Sequence, residues 1–252
     1  WACSVKTPDL SRVVSPAVGN PFGVKVGPGL VHANTFMNDC RAQYADELLG
    51  AVERPIVLDL GGGFGGFGHQ LLSSGRAPVY VDVDLPENLL VASYFLMAAN
   101  PGKRVLLYES RDQVLDAATL RQYDIVLLPN FMLPQVADRA VNLFTNFISL
   151  SEMDYPSIVE YLRQVDRVTD GFFYHENVID NGVAFDFHPV SAFPALPHFT
   201  LLWNAPSRWP MFSPSSSQHC HGEFLAARRD LDVSAYLRAG GASMAPGSSA
   251  AA

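Results

Sequence analysis

The stretch from Ile56 to Gly66, IVLDLGGGFGG, constrains the fold of this chain more than any other. An apolar run passes through Asp59 straight into a glycine-rich turn. Val57, Leu58 and Leu60 read as a strand buried on both faces, because such strands appear as near-continuous apolar runs. Gly61, Gly63 and Gly65 free the following backbone to take dihedrals closed to other residues and to approach a ligand without a Cβ in the way. The spacing predicts a helix over 64–74 next, and in an open α/β sheet ligands bind beyond the carboxyl ends of the strands.

Glycine spacing alone leaves the ligand open. Gly61, Gly63 and Gly66 also satisfy the Gly-x-Gly-x-x-Gly pattern of dinucleotide folds, whose helix amides receive a pyrophosphate. Asp59, two residues ahead of the turn, suits instead a cofactor with a cationic amino-acid end, such as S-adenosylmethionine. A turn used only for packing is the third alternative.

Along the chain, residues 1–36 carry Pro8, Pro16, Pro21 and Pro28 without a sustained period and read as an irregular arm or lid. A helix is expected over 38–49, capped by Asn38 or Asp39. After the glycine turn, residues 78–86 form a second strand ending in acid, roughly 20 residues on, where a ribose-binding carboxylate belongs. Asp84, with Leu85 and Pro86 behind it, is preferred to the deeper Asp82; it would serve equally as a cap of the helix over 87–100. Residues 125–129 and 141–146 read as the third and fourth core strands, with 105–108 and its following helix as an insertion. Pro156, Ile158, Val159, Leu162 and Val165 mark a helix over 156–168 leading to a strand at 171–175. Finally 199–204 and 223–228 read as an antiparallel pair at the sheet edge.

At 252 residues and 48% hydrophobic content, one α/β domain over 37–236 accounts for the chain, with a small-residue flexible tail at 237–252. The net charge of −8, without a Lys/Arg cluster, disfavours nucleic acid as a partner. No apolar run reaches the roughly 18 residues of a membrane span. Cys3, Cys40 and Cys220 are too scattered for a disulfide framework, which fits a reducing cytoplasm. The start at Trp1 implies a trimmed or processed chain. His219-Cys220-His221 invites a metal reading, but adjacent strand residues alternate faces, and no metal is expected.

Six segments together resemble a known family: LDLGGGFGG at 58–66, VDLPENL at 83–89, LLPNF at 127–131, NFISLSEM at 146–153, FYHEN at 173–177 and PSRW at 206–209. They are similar to class I S-adenosylmethionine-dependent methyltransferases, and among these to the sugar O-methyltransferase family of polysaccharide and glycosylated natural-product gene clusters. The resemblance spans about residues 40–230. It implies a Rossmann-like α/β fold with a seven-stranded, mostly parallel sheet, an antiparallel last strand and helices on both faces. It also implies S-adenosylmethionine as cofactor, with the methionine end near Asp59, Gly61, Gly62 and Gly63 and the ribose on Asp84 beside Leu85. Asn130 and Phe131 would flank the adenine, and Asn146 would lie beside the amino-acid end or the transferred methyl. Asn130 stands where the commonest pattern has an Asp.

Methyl transfer to an alcohol is an in-line displacement, so alignment comes first and a general base assists. Glu152, just past the fourth strand, is the first candidate; alternatively it supports the start of the next helix, with Ser151 or Asp154 as cap. His175 is the second candidate, with a structural histidine as the alternative. His188, Arg208 and Trp209 are candidates for holding the acceptor, a small molecule or glycan, though His188 would also serve as an ordinary surface residue and Arg208 and Trp209 would equally end an edge strand. A methyltransferase-like module that binds without catalysis, and an NAD-dependent oxidoreductase, are the competing functions. Asn146-Phe-Ile-Ser149 lacks the Asn-Pro-Pro-Tyr arrangement that grips a flipped base, which further disfavours a nucleic-acid substrate.

Overall fold

The computed structural model describes residues 1–27, 29–50, 52–180, 187–208 and 220–234. A hairpin of β1 (Val24–Val26) and β2 (Gly29–Val31) leads into α1 (Ala33–Leu48). Then follow β3 (Ile56–Leu60), α2 (Gly66–Leu72), β4 (Val79–Asp84), α3 (Pro86–Ala99), β5 (Val105–Leu107), α4 (Ala117–Leu120) and β6 (Ile125–Pro129). The chain continues through β7 (Val141–Phe147), α5 (Tyr155–Val168), β8 (Thr169–Asp180), β9 (Phe199–Pro206) and β10 (Cys220–Arg228).

Eight of these strands form one sheet in the order β5-β6-β4-β3-β7-β8-β10-β9. Every neighbouring pair from β5 to β8 is parallel, and β10 runs antiparallel to both β8 and β9. The antiparallel last strand is therefore as expected, with β9 at the edge. The strand count is not: Val105–Leu107, read from sequence as an insertion, extends the sheet as its other edge. Asp124 causes this, its Oδ2 accepting the Arg104 amide at 2.8 Å while the Ile125 amide bonds the Arg104 carbonyl at 3.1 Å. With three residues, β5 offers little edge for further pairing.

Alternation along the strands builds two cores. Leu58, Leu60, Val81, Val83 and Phe144 pack on one face against Ile158, Leu162 and Val165 of α5. Each fully buried side chain of this kind contributes roughly 1.5–3 kcal/mol. Asp154 caps α5 by accepting the Ser157 amide at 2.9 Å, and Pro156 fits its first turn, where no N–H is needed. The opposite face carries Val57, Tyr80, Leu143, Phe172 and Tyr174 against α1, α2 and α3.

Helix α1 starts earlier than its sequence suggested, at Ala33, because His32 caps it through Nδ1 accepting the Asn34 amide at 3.2 Å. Asp39, expected as a cap, is buried inside the helix and ties down the arm instead. It accepts from Arg12 Nε at 2.8 Å, Trp1 Nε1 at 3.0 Å and Gln43 Nε2 at 2.8 Å. Among the described residues no helix is long and apolar enough to cross a membrane. The tail at 237–252 lies outside the described residues.

Candidate functional site

At the carboxyl ends of β3, β4, β6 and β7 the sheet opens into a cleft of about 810 Å³. The glycine turn forms its floor, with Gly61 at φ 75° and Gly63 at φ 61°, the left-handed region that favours glycine. Space also requires glycine at 61, since a Cβ there would lie 2.3 Å from Ser149 Oγ. The turn's own amides are largely spent inside the protein. Gly61 N–H donates to the Val83 carbonyl at 2.9 Å, Gly65 N–H to the Gly62 carbonyl at 3.1 Å, and Gly63 N–H to Asp84 Oδ2 at 2.9 Å.

Asp84 stands at the end of β4, nearly buried, and lines the cleft. Its Oδ1 also accepts the Leu85 amide at 2.6 Å and Asn88 Nδ2 at 2.9 Å, so the carboxylate fixes the start of α3 while facing the cleft. The cap expected at Asp84 falls instead to Leu85, which makes no side-chain cap bond, while Asp84 keeps its place on the cleft. Glu152 lines the same cleft and makes no hydrogen bond or ion pair among the described residues, and partial burial raises its pKa. Because Asp154 is the cap of α5, Glu152 is left facing the cleft. Asn130 lines the same cleft and donates from Nδ2 to Tyr161 Oη at 3.1 Å. Gly61, Gly63, Asp84, Leu85, Asn130 and Glu152 therefore come together.

The remaining expected residues lie elsewhere. Asp59 does not reach the cleft: it is buried beneath the turn, accepting from Thr145 Oγ1 at 2.8 Å and Tyr80 Oη at 3.0 Å. Burial pushes its pKa up to about 6, against the lowering effect of those two hydroxyls. Gly62 turns inward, where a Cβ would meet Tyr80 Oη at 2.5 Å and Asp82 Oδ1 at 2.7 Å. Phe131 sits outside the cleft, edge-on to Tyr108 at 5.4 Å. Asn146 is fully buried behind the cleft wall, donating to the Leu60 carbonyl at 2.8 Å and Ser149 Oγ at 2.6 Å. It holds Ser149 against Gly61 rather than presenting its own amide.

His175 lies stacked against Phe224 at 4.8 Å and Phe173 at 4.5 Å, with Nδ1 3.2 Å from Asn177 Nδ2. Burial drives its pKa down to about 3, so it stays neutral in the core. Arg208 is not offered to a ligand either. Its guanidinium grips Glu223 through Nε to Oε1 and Nη2 to Oε2, both at 2.9 Å. Tyr174 Oη joins the pair by donating to Glu223 Oε2 at 2.8 Å. His188 packs on Tyr155 at 5.9 Å, with its amide on the Ser151 carbonyl at 2.9 Å, next to the turn that carries Glu152. Trp209 and His219 lie outside the described residues.

Sequence reasoning missed Asn88, Ile148, Ser149 and Tyr161 in the cleft wall. Asn88 had a signal, four residues after Asp84 and one helical turn on. Ile148 had none, yet it takes φ 79° and ψ −40°, a strained conformation for a β-branched residue. Its amide on the Glu176 carbonyl at 2.6 Å holds the turn that brings Ser149 and Glu152 to the cleft. Such strain concentrates at functional sites.

The cleft is acidic. Asp84, Glu152 and Asp154 line it, and no described lining residue is Lys or Arg. Among the described residues no group of three or more His, Cys, Asp or Glu is placed to hold a metal ion.

The same architecture is found in a proposed sarcosine dimethylglycine methyltransferase from Galdieria sulphuraria. That match has TM-score 0.54 and 10% identity, covering 84% of this chain and 94% of the other. It is found also in magnesium protoporphyrin IX methyltransferase from Synechocystis PCC 6803, a structure with bound S-adenosylhomocysteine. Here the TM-score is 0.53 and the identity 10%, covering 78% of this chain and 83% of the other. The sequence matches no family model and no curated protein. At such identities the likeness is one of fold, and the fold is the Rossmann-like α/β fold of class I methyltransferases.

Proposed function

We propose that this chain is an S-adenosylmethionine-dependent O-methyltransferase whose acceptor is a hydroxyl of a sugar or glycosylated natural product. The observation that carries the cofactor is the charge of the cleft: three carboxylates and no described cation along the glycine turn. A sulfonium with an amino-acid end is favoured by such a field, whereas a pyrophosphate would be repelled. The turn amide that a pyrophosphate would need at Gly63 is already bonded to Asp84. Asp84 is the residue for the ribose hydroxyls, Asn130 and Leu85 for the adenine end, and Gly61 with Ser149 for the methionine end.

When bound, the cofactor supplies a methyl group made electrophilic by the positive sulfur. The protein's part is to hold the acceptor oxygen in line with that methyl and to take up the hydroxyl proton as the new C–O bond forms. Glu152 is the base for this step, a carboxylate at the cleft without a partner among the described residues, its pKa raised by partial burial. His175, neutral and stacked, is a structural residue in this reading. His188 stands near the Glu152 turn as an acceptor contact. Trp209 remains an acceptor-binding candidate from its sequence segment alone.

The acidic cleft is in keeping with a small acceptor rather than a nucleic acid. Cys3 and Cys40 are both free, in keeping with a reducing cytoplasm. Calorimetry with S-adenosylhomocysteine tests the reading, and NAD serves as the competing ligand. Binding of NAD in place of S-adenosylhomocysteine would assign the cleft to an oxidoreductase. Cofactor binding with no methyl transfer to any glycoside would assign it to a binding module.

A further inference from the structure

The glycine turn walls a second cavity, of about 340 Å³, whose other sides are the N-terminal arm and the first turns of α1 and α2. Gly61 and Gly63 face the acidic cleft, whereas Phe64 and Gly66 face this cavity. Its chemistry differs from that of the cleft, for no described lining residue is Asp, Glu, Lys or Arg. Phe22 from the arm, Phe64 from the turn and Phe95 from α3 supply aromatic walls.

Asn38 supplies the polar centre. It is 9% exposed, and its amide makes no hydrogen bond with any described residue. The amide opens into the cavity, where a ligand or water can complete its hydrogen bonds. Gly66 preserves this arrangement, since a Cβ there would lie 2.6 Å from both Asn38 Nδ2 and Phe64 Cζ. An amide that both donates and accepts is matched by a hydroxyl, which does the same. Aromatic faces pack against the C–H face of a ring. The uncharged lining calls for no ionic group, and the volume falls within the range of small-molecule pockets.

We propose that this cavity binds a second sugar ring of the acceptor, beyond the one methylated at the cleft, with a hydroxyl on Asn38 and the ring's apolar face on Phe22 and Phe64. The proposal rests on the sugar-methylating reading above: the ring held here is a further ring of a glycosylated acceptor, while the hydroxyl that is methylated meets Glu152 in the cleft on the other side of the glycine turn. The arm is then part of the acceptor site. It is tied to α1 through Asp39, which takes both Arg12 and Trp1.

Saturation-transfer difference NMR on the whole chain tests this with the methyl glycosides of glucose, mannose, galactose and rhamnose, and with phenol as the aromatic alternative. Ring-proton signals are expected from at least one glycoside. Affinity should fall about 10-fold in Asn38→Leu, the effect of one lost hydrogen bond and its desolvation. The same direction is expected in Phe22→Ser, a variant safe for folding because Phe22 is 74% exposed. Both variants should bind S-adenosylhomocysteine as the parent does, by calorimetry. Silence from every glycoside in a protein that binds S-adenosylhomocysteine overturns the proposal. So do signals from phenol alone, or glycoside signals unmoved by both substitutions. Glycoside binding without S-adenosylhomocysteine binding would instead overturn the cofactor reading and leave this sugar site standing.

Discussion

The Gly63 amide donates to Asp84 Oδ2 at 2.9 Å, joining the glycine turn after β3 to the carboxyl end of β4. One carboxylate thereby fixes the cleft floor and, through the Leu85 amide, the entry to α3. Asp84→Asn leaves one oxygen to serve three donors. Hydrogen bonds to charged groups are worth about 1.5–3 kcal/mol, so S-adenosylhomocysteine affinity should fall about 10- to 100-fold. Calorimetry on parent and variant reads this directly, and equal affinities would remove Asp84 from the site.

Glu152→Gln keeps the shape of the cleft and removes the proposed base. The rate of methyl transfer should fall by about 10²–10⁴ while cofactor affinity is unchanged. Because burial raises the Glu152 pKa, the parent's rate should climb with pH through a point above the ordinary glutamate value and flatten beyond it. The variant should lack that limb. A pH–rate profile on both proteins, with the same limb in each, would assign the base elsewhere.

Asp59 predicts the pH dependence of stability. Its folded-state pKa of about 6 lies above the ordinary 3.8, so between those values the folded protein holds a proton that the unfolded chain has released. Stability contributed by this group is therefore present at the acid end and is lost as pH rises through that window, by about 3 kcal/mol at most. Asp82, fully buried beside it with its pKa raised first by burial and then by Asp59, acts in the same direction. Asp59→Asn retains an oxygen for Tyr80 or Thr145 and cannot ionise. Urea unfolding from pH 4 to 7 should give a flatter stability profile in the variant than in the parent.

Arg208 and Glu223 predict a structural phenotype. Their side chains are 11% and 1% exposed, so removing one partner leaves a buried charge uncompensated. Arg208→Met should cost about 3–5 kcal/mol, and Arg208→Met with Glu223→Leu should recover much of it. Thermal unfolding of the single and double variants measures the coupling. A double variant no more stable than the single would mean that Tyr174 and the packing around it carry the cost.

The central strands were legible because a parallel sheet covered on both faces leaves apolar runs, as at 56–60, 79–84 and 125–129. Strand β5 was not placed in the sheet, since three residues carry little pattern and their pairing depends on Asp124, a distant side chain. Likewise β8 runs on to Asp180, past the expected end at His175, because Glu176 and Asn177 find partners in Arg41, Ser207 and Asn146. Those partners lie 31 to 135 residues away in sequence. A separation of 15 residues likewise hid the role of Arg208, which reads as a ligand-binding cation until Glu223 is seen opposite it. Local signals placed Asp84 and Glu152 at the cleft, whereas Asp59 sits under the turn because Tyr80 and Thr145 draw it inward.

The acidic cleft over the glycine turn is proposed to select a sulfonium cofactor. Titration calorimetry of the whole chain with S-adenosylmethionine, S-adenosylhomocysteine and NAD tests it most directly. One-site binding of both adenosyl ligands is expected, weakened in Asp84→Asn, with no heat from NAD. Binding of NAD, or no binding of either adenosyl ligand by folded protein, would contradict it.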